Sequence, residues 1–277
     1  MRAVEPIRTV ELFAEVRREL LSLLGGLSEE EWLRPTAAKK WDVKDVAAHL
    51  LGGDLGNLSR RRDRYTPPGG KPIESWEDLV AFINQLNESW VAAARRLSPQ
   101  VLCDLLAHAG PQIEAYFASL DPLGLGTPVS WAGPAPAPVW LDVAREYTER
   151  WHHQQQIRDA TGRLGLYEAR LFAPVLDTFV RALPWAYREV AAEQGVCVEV
   201  HLSGGGGGEW VLRRMAAGWE LLAGLSERAA ARVEIRSEDA WKIFTRGIRG
   251  EEARKRAAIT GDLRLGKRVL EVVSVIA

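Results

Sequence analysis

The first half of the chain carries apolar residues at the three- and four-residue spacing of amphipathic helices, separated by proline and glycine. Ser28 followed by Glu31 forms a capping-box motif at the start of one short run. The pattern predicts helices at residues 7–24, directly after Ser28, at about 42–64, at about 75–97 and from Ser98-Pro99 onward. Gly110 and Pro111 should kink or interrupt the last of these helices.

A segment rich in proline, glycine and alanine, residues 121–138, breaks the helical pattern and is predicted to be a loop. A loop of this length inside a compact domain is usually functional or lies over a neighbouring element. The helix that follows carries Glu149 and His153 and should end near Gly162. Another apolar-periodic helix is predicted at about residues 168–190.

From residue 196 onward the pattern changes to alternation, which is typical of strands. The alternating apolar residues of the first strand are Val196, Val198, Val200 and Leu202. A five-glycine turn and three further apolar segments follow, and together they predict an antiparallel meander. A helix capped by Ser237 and a final helix after the sequence ITGD complete the unit. We therefore predict an α+β protein with a helical domain at residues 1–165 and a small α+β domain with an antiparallel sheet at 166–277.

Composition narrows the class of protein. The 277 residues are 47% hydrophobic and 26% charged, as in globular proteins, and the net charge of −1 argues against a general nucleic-acid or membrane-binding surface. Cys103 and Cys197 are far apart and predict neither a disulfide framework nor a thiolate zinc site. The N-terminus lacks the pattern of a signal peptide, and no run approaches the roughly 20 apolar residues of a membrane helix. We therefore expect a cytoplasmic protein.

The sequence REYTERWHHQQQIRDATG, residues 145–162, places Glu149 and His153 about one turn apart on the same face of a helix. A carboxylate and an imidazole at this spacing can bind one divalent metal ion, and both are common ligands of zinc. A third ligand must come from another element, and His49 in WDVKDVAAHLLGGDLG is the best candidate.

Three glycines follow His49 on its own helix face: Gly52, Gly53 and Gly56. Glycine inside a helix costs roughly 1 kcal/mol relative to alanine, so three of them on one face need a reason. Room beside the histidine for an ion or a substrate is one such reason.

A solvated surface is the competing interpretation of the later helix. Its clearest apolar stripe consists of Trp140, Val143, Tyr147 and Trp151. Glu149 and His153 lie nearly opposite this stripe, and a polar face opposite an apolar one is usually solvated. His152 is either an alternative ligand or a structural neighbour, and His49 is open to interpretation as a solvent-edge histidine.

Three segments of the chain resemble mycothiol-dependent maleylpyruvate isomerase-like proteins. WDVKDVAAHLLGG resembles the N-terminal helix motif of that family, REYTERWHHQQQIRDATGR its metal-binding helix, and AAITGDLRLGKRVL the end of its C-terminal domain. The resemblance covers nearly the whole chain in order. It implies a DinB-like four-helix bundle followed by a small α+β domain that resembles sterol carrier proteins and closes over the site.

The resemblance also implies a chemistry. Members of the family hold one divalent metal, usually zinc, and the matching residues here are His49, Glu149 and His153. Three protein ligands leave one coordination position open, where the metal would lower the pKa of a low-molecular-weight thiol, mycothiol- or bacillithiol-like. Addition of the thiolate to a maleylpyruvate-type double bond, rotation and elimination would give cis–trans isomerisation. Attack on an electrophile without elimination would give S-transfer.

The expected chemistry also makes demands on substrate-binding residues. A dicarboxylate substrate calls for a basic residue, and Arg246 and Arg249 in FTRGIRG are candidates, although they match no motif of the family. We expect a metal-dependent enzyme that binds a small thiol and an electrophile, binds neither nucleic acid nor membrane, and is a monomer or homodimer. The alternative is a non-catalytic protein that encloses a small apolar ligand and retains a vestigial metal site.

Overall fold

The computed structural model describes residues 1–67 and 73–274, and the chain divides into two compact units. The helical unit consists of Val10–Asp121 and Tyr147–Gly165. The sheet unit consists of Met1–Thr9, Pro122–Glu146 and the described residues from Leu166 onward. The domain boundary after residue 165 stays a prediction. The division into units assigns two segments of the predicted first domain to the sheet unit.

Among the described residues, six helices contribute to the helical unit, and α6 is divided between it and the sheet unit. They are α1 Phe13–Gly25, preceded by the 3-10 turn Val10–Leu12, α2 Glu29–Trp32, α3 Val43–Asn57, α4 Trp76–Ala94, α5 Pro99–Ala118 and α6 Val139–Thr161. A π-helical turn, Leu58–Arg62, continues α3. The predicted helices of this half are confirmed. Four of these helices begin at a residue whose side chain accepts a hydrogen bond from a backbone N–H of the first turn. These caps are Ser28, Asp42, Ser75 and Ser98.

Helix α5 continues through Pro111. The sequence analysis expected a kink or an interruption at Gly110-Pro111, and the interruption does not occur. A proline inside a helix costs about 3 kcal/mol, because it removes a hydrogen bond and crowds the preceding turn. Helix α5 offsets this cost by burying Leu102, Leu106 and Phe117, each of which contributes about 1.5–3 kcal/mol.

The apolar core of the helical unit surrounds α3. It includes Leu20, Leu24, Trp32, Val46, Ala47, Leu50, Leu51, Leu102, Leu106 and Ile157. These residues come from α1, α2, α3, α5 and α6, so the helix that carries His49 is held on several sides. His49 itself is only partly buried and lies at the border of this core.

Gly52 is explained by packing between α3 and α4. The indole of Trp90 lies against it, and a Cβ added at Gly52 would stand 2.4 Å from the ring Cδ1. The Trp90 Nε1–H also donates a hydrogen bond to the Ala48 carbonyl at 2.7 Å. Glycine at this position therefore lets an aromatic ring approach the helix backbone.

The other two glycines of α3 have different surroundings. The guanidinium of Arg60 lies 3.2 Å from where a Cβ of Gly56 would be, whereas no described atom lies within 4 Å of a Cβ added at Gly53. The expectation that all three glycines make room beside His49 is therefore wrong for Gly52 and Gly56, whose space other side chains fill. Only Gly53 faces open space.

The sheet unit contains all the strands of the described residues. They are β1 Arg2–Ala3, β2 Leu125–Pro128, β3 Pro136–Pro138, β4 Cys197–Ser203, β5 Gly208–Met215, β6 Gly218–Ala223, β7 Ala231–Arg236 and β8 Ala257–Gly261. Its helices, besides the first part of α6, are α7 Ala169–Val180, α8 Leu183–Ala186, α9 Ser237–Phe244, α10 Gly250–Lys255 and α11 Leu263–Val269.

The main sheet has the strand order β1-β6-β5-β4-β7-β8, and its pairs are antiparallel except β4 with β7, which is parallel. The predicted meander is therefore wrong at this step, since β7 pairs with β4 rather than β6. The first four residues of β4, Cys197–Val200, are all buried. Such a strand is covered on both faces and belongs in the middle of a sheet, and β7 gives it a second neighbour.

Three smaller expectations for the sheet unit also need correction. The predicted loop 121–138 contains the short β2–β3 hairpin. The helix predicted at about 168–190 ends at Val180 and is followed by the separate turn α8. Ser237 is the first residue of α9 and not its cap, since Arg236 holds the N-cap position.

Membrane-spanning helices are not found in the described ranges, where every helix is too short or too polar to cross a bilayer. Cys103 is half-buried and Cys197 buried, and both are free thiols.

The substitution Gly52→Ala should lower the free energy of unfolding by about 1–3 kcal/mol, because the added methyl group would displace the Trp90 indole. Gly53→Ala is the matched control, since it adds the same group one residue later into open space. It should raise the free energy of unfolding by up to about 1 kcal/mol. Urea denaturation followed by far-UV circular dichroism measures both. Equal effects of the two substitutions would contradict this account of the α3–α4 contact.

Candidate metal centre

The first turn of α3, the helix that carries His49, is anchored by two carboxylates. The Asp42 carboxylate accepts a hydrogen bond from the Asp45 backbone N–H at 2.8 Å, which satisfies a free donor of the helix end. Asp45 is buried and its Oδ2 lies 2.7 Å from Nη2 of Arg95, which directly follows α4. The ring of Trp41 lies 4.9 Å from that of His49, between centroids. These contacts fix the helix and flank the imidazole.

Glu149 and His153 lie one turn apart on α6, with Glu149 Oε2 at 3.2 Å from His153 Nε2. The rings of His49 and His153 approach to 4.5 Å between centroids. One ligand atom from each of the three residues lies within 4.8 Å of the other two. The helical unit thus brings together the three residues that the sequence analysis singled out, from two different helices.

Burial decides between the two interpretations of this helix face. His153 is 9% exposed and Gln156 is 8% exposed. The Glu149 side chain keeps 29% of its surface accessible. The solvated-surface interpretation is therefore wrong for His153 and Gln156, because the face opposite the apolar stripe is also covered. A cluster that is buried at one end and open at the carboxylate is accessible to a small ligand.

Gln156 connects the two adjacent histidines of α6. Its Oε1 lies 2.9 Å from His153 Nδ1, and its Nε2 lies 3.3 Å from His152 Nε2. Because the amide donates only through its nitrogen, His152 accepts at Nε2 and His153 donates from Nδ1. This tautomer leaves the lone pair of the His153 ring on Nε2, which is the atom that faces Glu149 and the nitrogen that could ligate a metal.

His152 is outside the group of converging ligand atoms, and its Nε2 is used by Gln156. Burial lowers the pKa of His152 from 6.5 to about 3, with the neighbouring His153 adding to this effect and Glu149 opposing it. His152 is therefore a neutral hydrogen-bond acceptor at physiological pH.

Arg246 and Arg249 lie in the sheet unit, on the segment between α9 and α10. Both are exposed, and Arg246 has a left-handed backbone conformation with φ of 62°. Their role toward a substrate stays a prediction.

Gln156 is the member of this cluster to which the sequence analysis assigned no role. It follows His153 by three residues and His152 by four, and side chains at these spacings meet on a helix surface. An amide at both spacings from two adjacent histidines is the signal that could have identified it.

Acidification should destabilise the metal-free protein through His152. Its folded-state pKa is lowered to about 3, so only the unfolded chain takes up this proton as the pH falls below about 6.5. The unfolding free energy should therefore drop by about 1.4 kcal/mol per pH unit from this group between about pH 6.5 and 3, with no contribution above that range. Urea denaturation in the presence of a chelator should show a slope smaller by that amount in His152→Gln.

The control for this measurement is His108→Gln, which changes an exposed histidine on α5. A slope that falls equally in both variants would mean that the effect does not come from the buried position of His152. An unchanged slope in His152→Gln would contradict the assignment of His152 as a buried neutral histidine.

The comparisons with solved structures place this architecture among known folds. The crystal structure of the mycothiol-dependent maleylpyruvate isomerase matches with a TM-score of 0.57 and 11% sequence identity, over 95% of this chain and 98% of that chain. A mutant of that isomerase matches over the same shares, with a TM-score of 0.56 and 11% identity. At this identity the likeness establishes the fold, and it confirms the predicted α+β class.

A partial match involves sterol carrier protein 2 like 2 from Aedes aegypti. It covers 38% of this chain and 98% of that chain, with 16% identity and a TM-score of 0.30, a value too low to argue from. Among curated protein sequences no significant match was found.

The family comparison is more direct. Residues 13–158 match the family described as the mycothiol maleylpyruvate isomerase N-terminal domain. The matched range includes α3, which carries His49, and the part of α6 that carries Glu149 and His153. Because it spans more than half of the sequence, the chain belongs to the mycothiol maleylpyruvate isomerase N-terminal domain family.

Proposed function

We propose that this protein is a metal-dependent enzyme that uses a low-molecular-weight thiol to isomerise a maleylpyruvate-type substrate or to transfer the thiol to an electrophile. The observation that carries the proposal is the convergence of His49, Glu149 and His153, whose ligand atoms all lie within 4.8 Å of one another. Family membership supports the thiol and the type of reaction.

The donor set fits a divalent metal such as zinc. Two imidazoles and one carboxylate are among the usual ligands of zinc, and bonds of about 2.0–2.1 Å in tetrahedral geometry place neighbouring donors about 3.4 Å apart. The Glu149–His153 pair, at 3.2 Å, already has this separation. The wider separation to His49, within 4.8 Å, needs only a small inward movement of side chains.

Glu149 and His153 can share a hydrogen bond only through a proton that lies between them. A divalent cation bound by both residues would replace that proton, so protons and metal would compete for the pair. Gln156 favours the metal, because it accepts the Nδ1 proton of His153 and leaves Nε2 as the ligating nitrogen. Three protein ligands also leave an open position, as in catalytic rather than structural zinc sites.

When bound, the metal supplies Lewis acidity that keeps a thiol ligand in its thiolate form at neutral pH. Such a thiolate would supply a nucleophile for one carbon of the cis double bond, with the electron pair taken up by the conjugated carbonyl. Rotation about the resulting single bond and loss of the thiolate would give the trans isomer, with no net change in oxidation state. Mycothiol is the first thiol to test, since the solved relatives are named as mycothiol-dependent.

The wild-type protein, loaded with Zn²⁺ and then desalted, should retain about one ion per chain by elemental analysis. His49→Ala and Glu149→Ala should each retain less than about a tenth of that amount, because two remaining ligands bind zinc weakly. His108→Ala is the control, since this histidine is exposed on α5 and outside the ligand group. A wild type that takes up no metal, or an equal loss in the control, would rule out the site.

Turnover should require both metal and thiol. With mycothiol and maleylpyruvate, the metal-loaded wild type should form the trans isomer, and Glu149→Gln should reduce kcat/KM by about a hundredfold or more, since a carboxylate ligand is lost. Chromatography separates the isomer from a thiol conjugate and so distinguishes isomerisation from S-transfer. If the protein binds metal but performs neither reaction with a panel of thiols and electrophiles, the proposed catalysis is wrong and the metal site stands.

One observation favours the alternative, a non-catalytic small-ligand-binding protein. The sheet unit contains an open cavity of about 520 Å³ between the N-terminal segment, α7 and β5, which is within the size range of small-molecule sites. A ligand found by mass spectrometry in the purified protein, together with no thiol-dependent turnover, would support this alternative.

A further inference from the structure

Two ion pairs of the described residues line a cavity inside the helical unit. Arg150 on α6 binds Asp54 on α3, and Arg17 on α1 binds Glu114 on α5. Side-chain exposure is 13% and 9% in the first pair and 15% and 22% in the second. Both pairs line one cavity of about 20 Å³. Charges in such a place cost several kcal/mol unless they are compensated, and here two cations meet two anions.

The first pair joins the two helices that carry the candidate metal ligands. Asp54 follows His49 by five residues, about 7.5 Å along α3, and Arg150 precedes His153 by three residues, about 4.5 Å along α6. Since His49 meets His153 and Asp54 meets Arg150, the two helices run antiparallel in this region. Contacts at two different levels determine how far one helix can slide along the other.

The guanidinium of Arg150 is itself held in place by aromatic rings. Its Cζ lies 5.4 Å from the ring centroid of Phe13, on α1, and 5.6 Å from that of Phe117, on α5. These distances are typical of cation–π contacts. Contacts with α1, α3 and α5 therefore fix the position of Arg150, and through Arg150 they fix the position of α6.

We propose that the Asp54–Arg150 pair is a positioning device that sets the register of α6 against α3, and with it the spacing of His49 from Glu149 and His153. The proposal rests on the metal-binding function proposed above. Glu149 is the neighbour of Arg150 in sequence, so a shift of the arginine along α3 moves this ligand by the same amount. Neither Asp54 nor Arg150 belongs to the group of ligand atoms.

The second ion pair provides a matched control. Arg17 and Glu114 line the same cavity and are partly buried, but they connect α1 with α5, neither of which carries a candidate ligand. Arg17 also interacts electrostatically with Asp54 and Arg150, so the control changes Glu114 and leaves the charge of Arg17 in place. A role in general stability is therefore shared by both pairs. A role in ligand spacing belongs only to Asp54 and Arg150.

The test compares metal affinity in full-length Asp54→Asn and Glu114→Gln, which neutralise one acid in each pair. Zn²⁺ affinity is measured by chelator competition, and the visible spectrum of bound Co²⁺ reports coordination geometry. Asp54→Asn should weaken Zn²⁺ binding by about tenfold or more and alter the Co²⁺ spectrum. Glu114→Gln should change neither the spectrum nor the affinity by more than about twofold, although both substitutions lower stability.

Should Asp54→Asn fail to fold, Arg150→Lys and Arg17→Lys replace the pair of variants. Lysine keeps the charge but lacks the planar guanidinium, so Arg150→Lys should weaken Zn²⁺ binding by about threefold or more and Arg17→Lys should not. Equal losses at both pairs, or unchanged affinity at the first, would overturn the positioning role. A wild type without metal affinity would instead remove the proposed function, and the positioning role with it.

Discussion

The helical unit depends on how α6 satisfies its buried polar side chains. All residues from 151 to 158 are buried, although they include two histidines, three glutamines and an arginine. A buried polar group without a partner costs about 1–3 kcal/mol. Gln154 therefore donates to the Val16 carbonyl at 3.0 Å, and Gln155 donates to the Gly165 carbonyl at 2.9 Å. These bonds can form in only one rotation of the helix, so satisfying them orients α6.

The same orientation of α6 brings the candidate metal ligands together. With its glutamines directed at α1 and at the chain after the helix, α6 presents Glu149 and His153 toward α3. Gln156 then uses both ends of its amide on the two histidines, which removes two more unsatisfied groups. The interactions that bury a polar helix thus also select the tautomer of a candidate ligand.

Local features of this fold were readable from the sequence, because they depend on residues close together in the chain. Ser28 and Asp42 predicted helix starts through capping, and the spacing of Glu149 and His153 predicted a shared face. His49 lies on another helix, so spacing could offer it only as the best candidate for a third ligand, and the family resemblance supported that choice. Helical periodicity predicted a solvated polar face for α6, because the polar face of an amphipathic helix usually meets water.

Long-range features could not be predicted from the sequence, because they depend on residues that are far apart in the chain. The parallel pairing of β7 with β4 depends on which strand of the sheet still has an unpaired edge when β7 is added. Alternation of apolar residues within a strand carries no information about its neighbours in the sheet. Gly52 was interpreted as space for a ligand, whereas the indole of Trp90 fills it. Nothing in the neighbourhood of Gly52 in sequence indicates a ring that lies 38 residues away.

The neutral amide of Gln156 has a consequence for charge balance. Were a carboxylate in its place, the ligands and their immediate partner would carry two negative charges, enough to neutralise a divalent ion. With Gln156, and with His152 neutral, the only anion among these groups is Glu149. A divalent ion held there would keep one positive charge, and a single anion such as a thiolate would make the site neutral. In a partly buried site, neutrality favours the deprotonated thiol over the thiol itself.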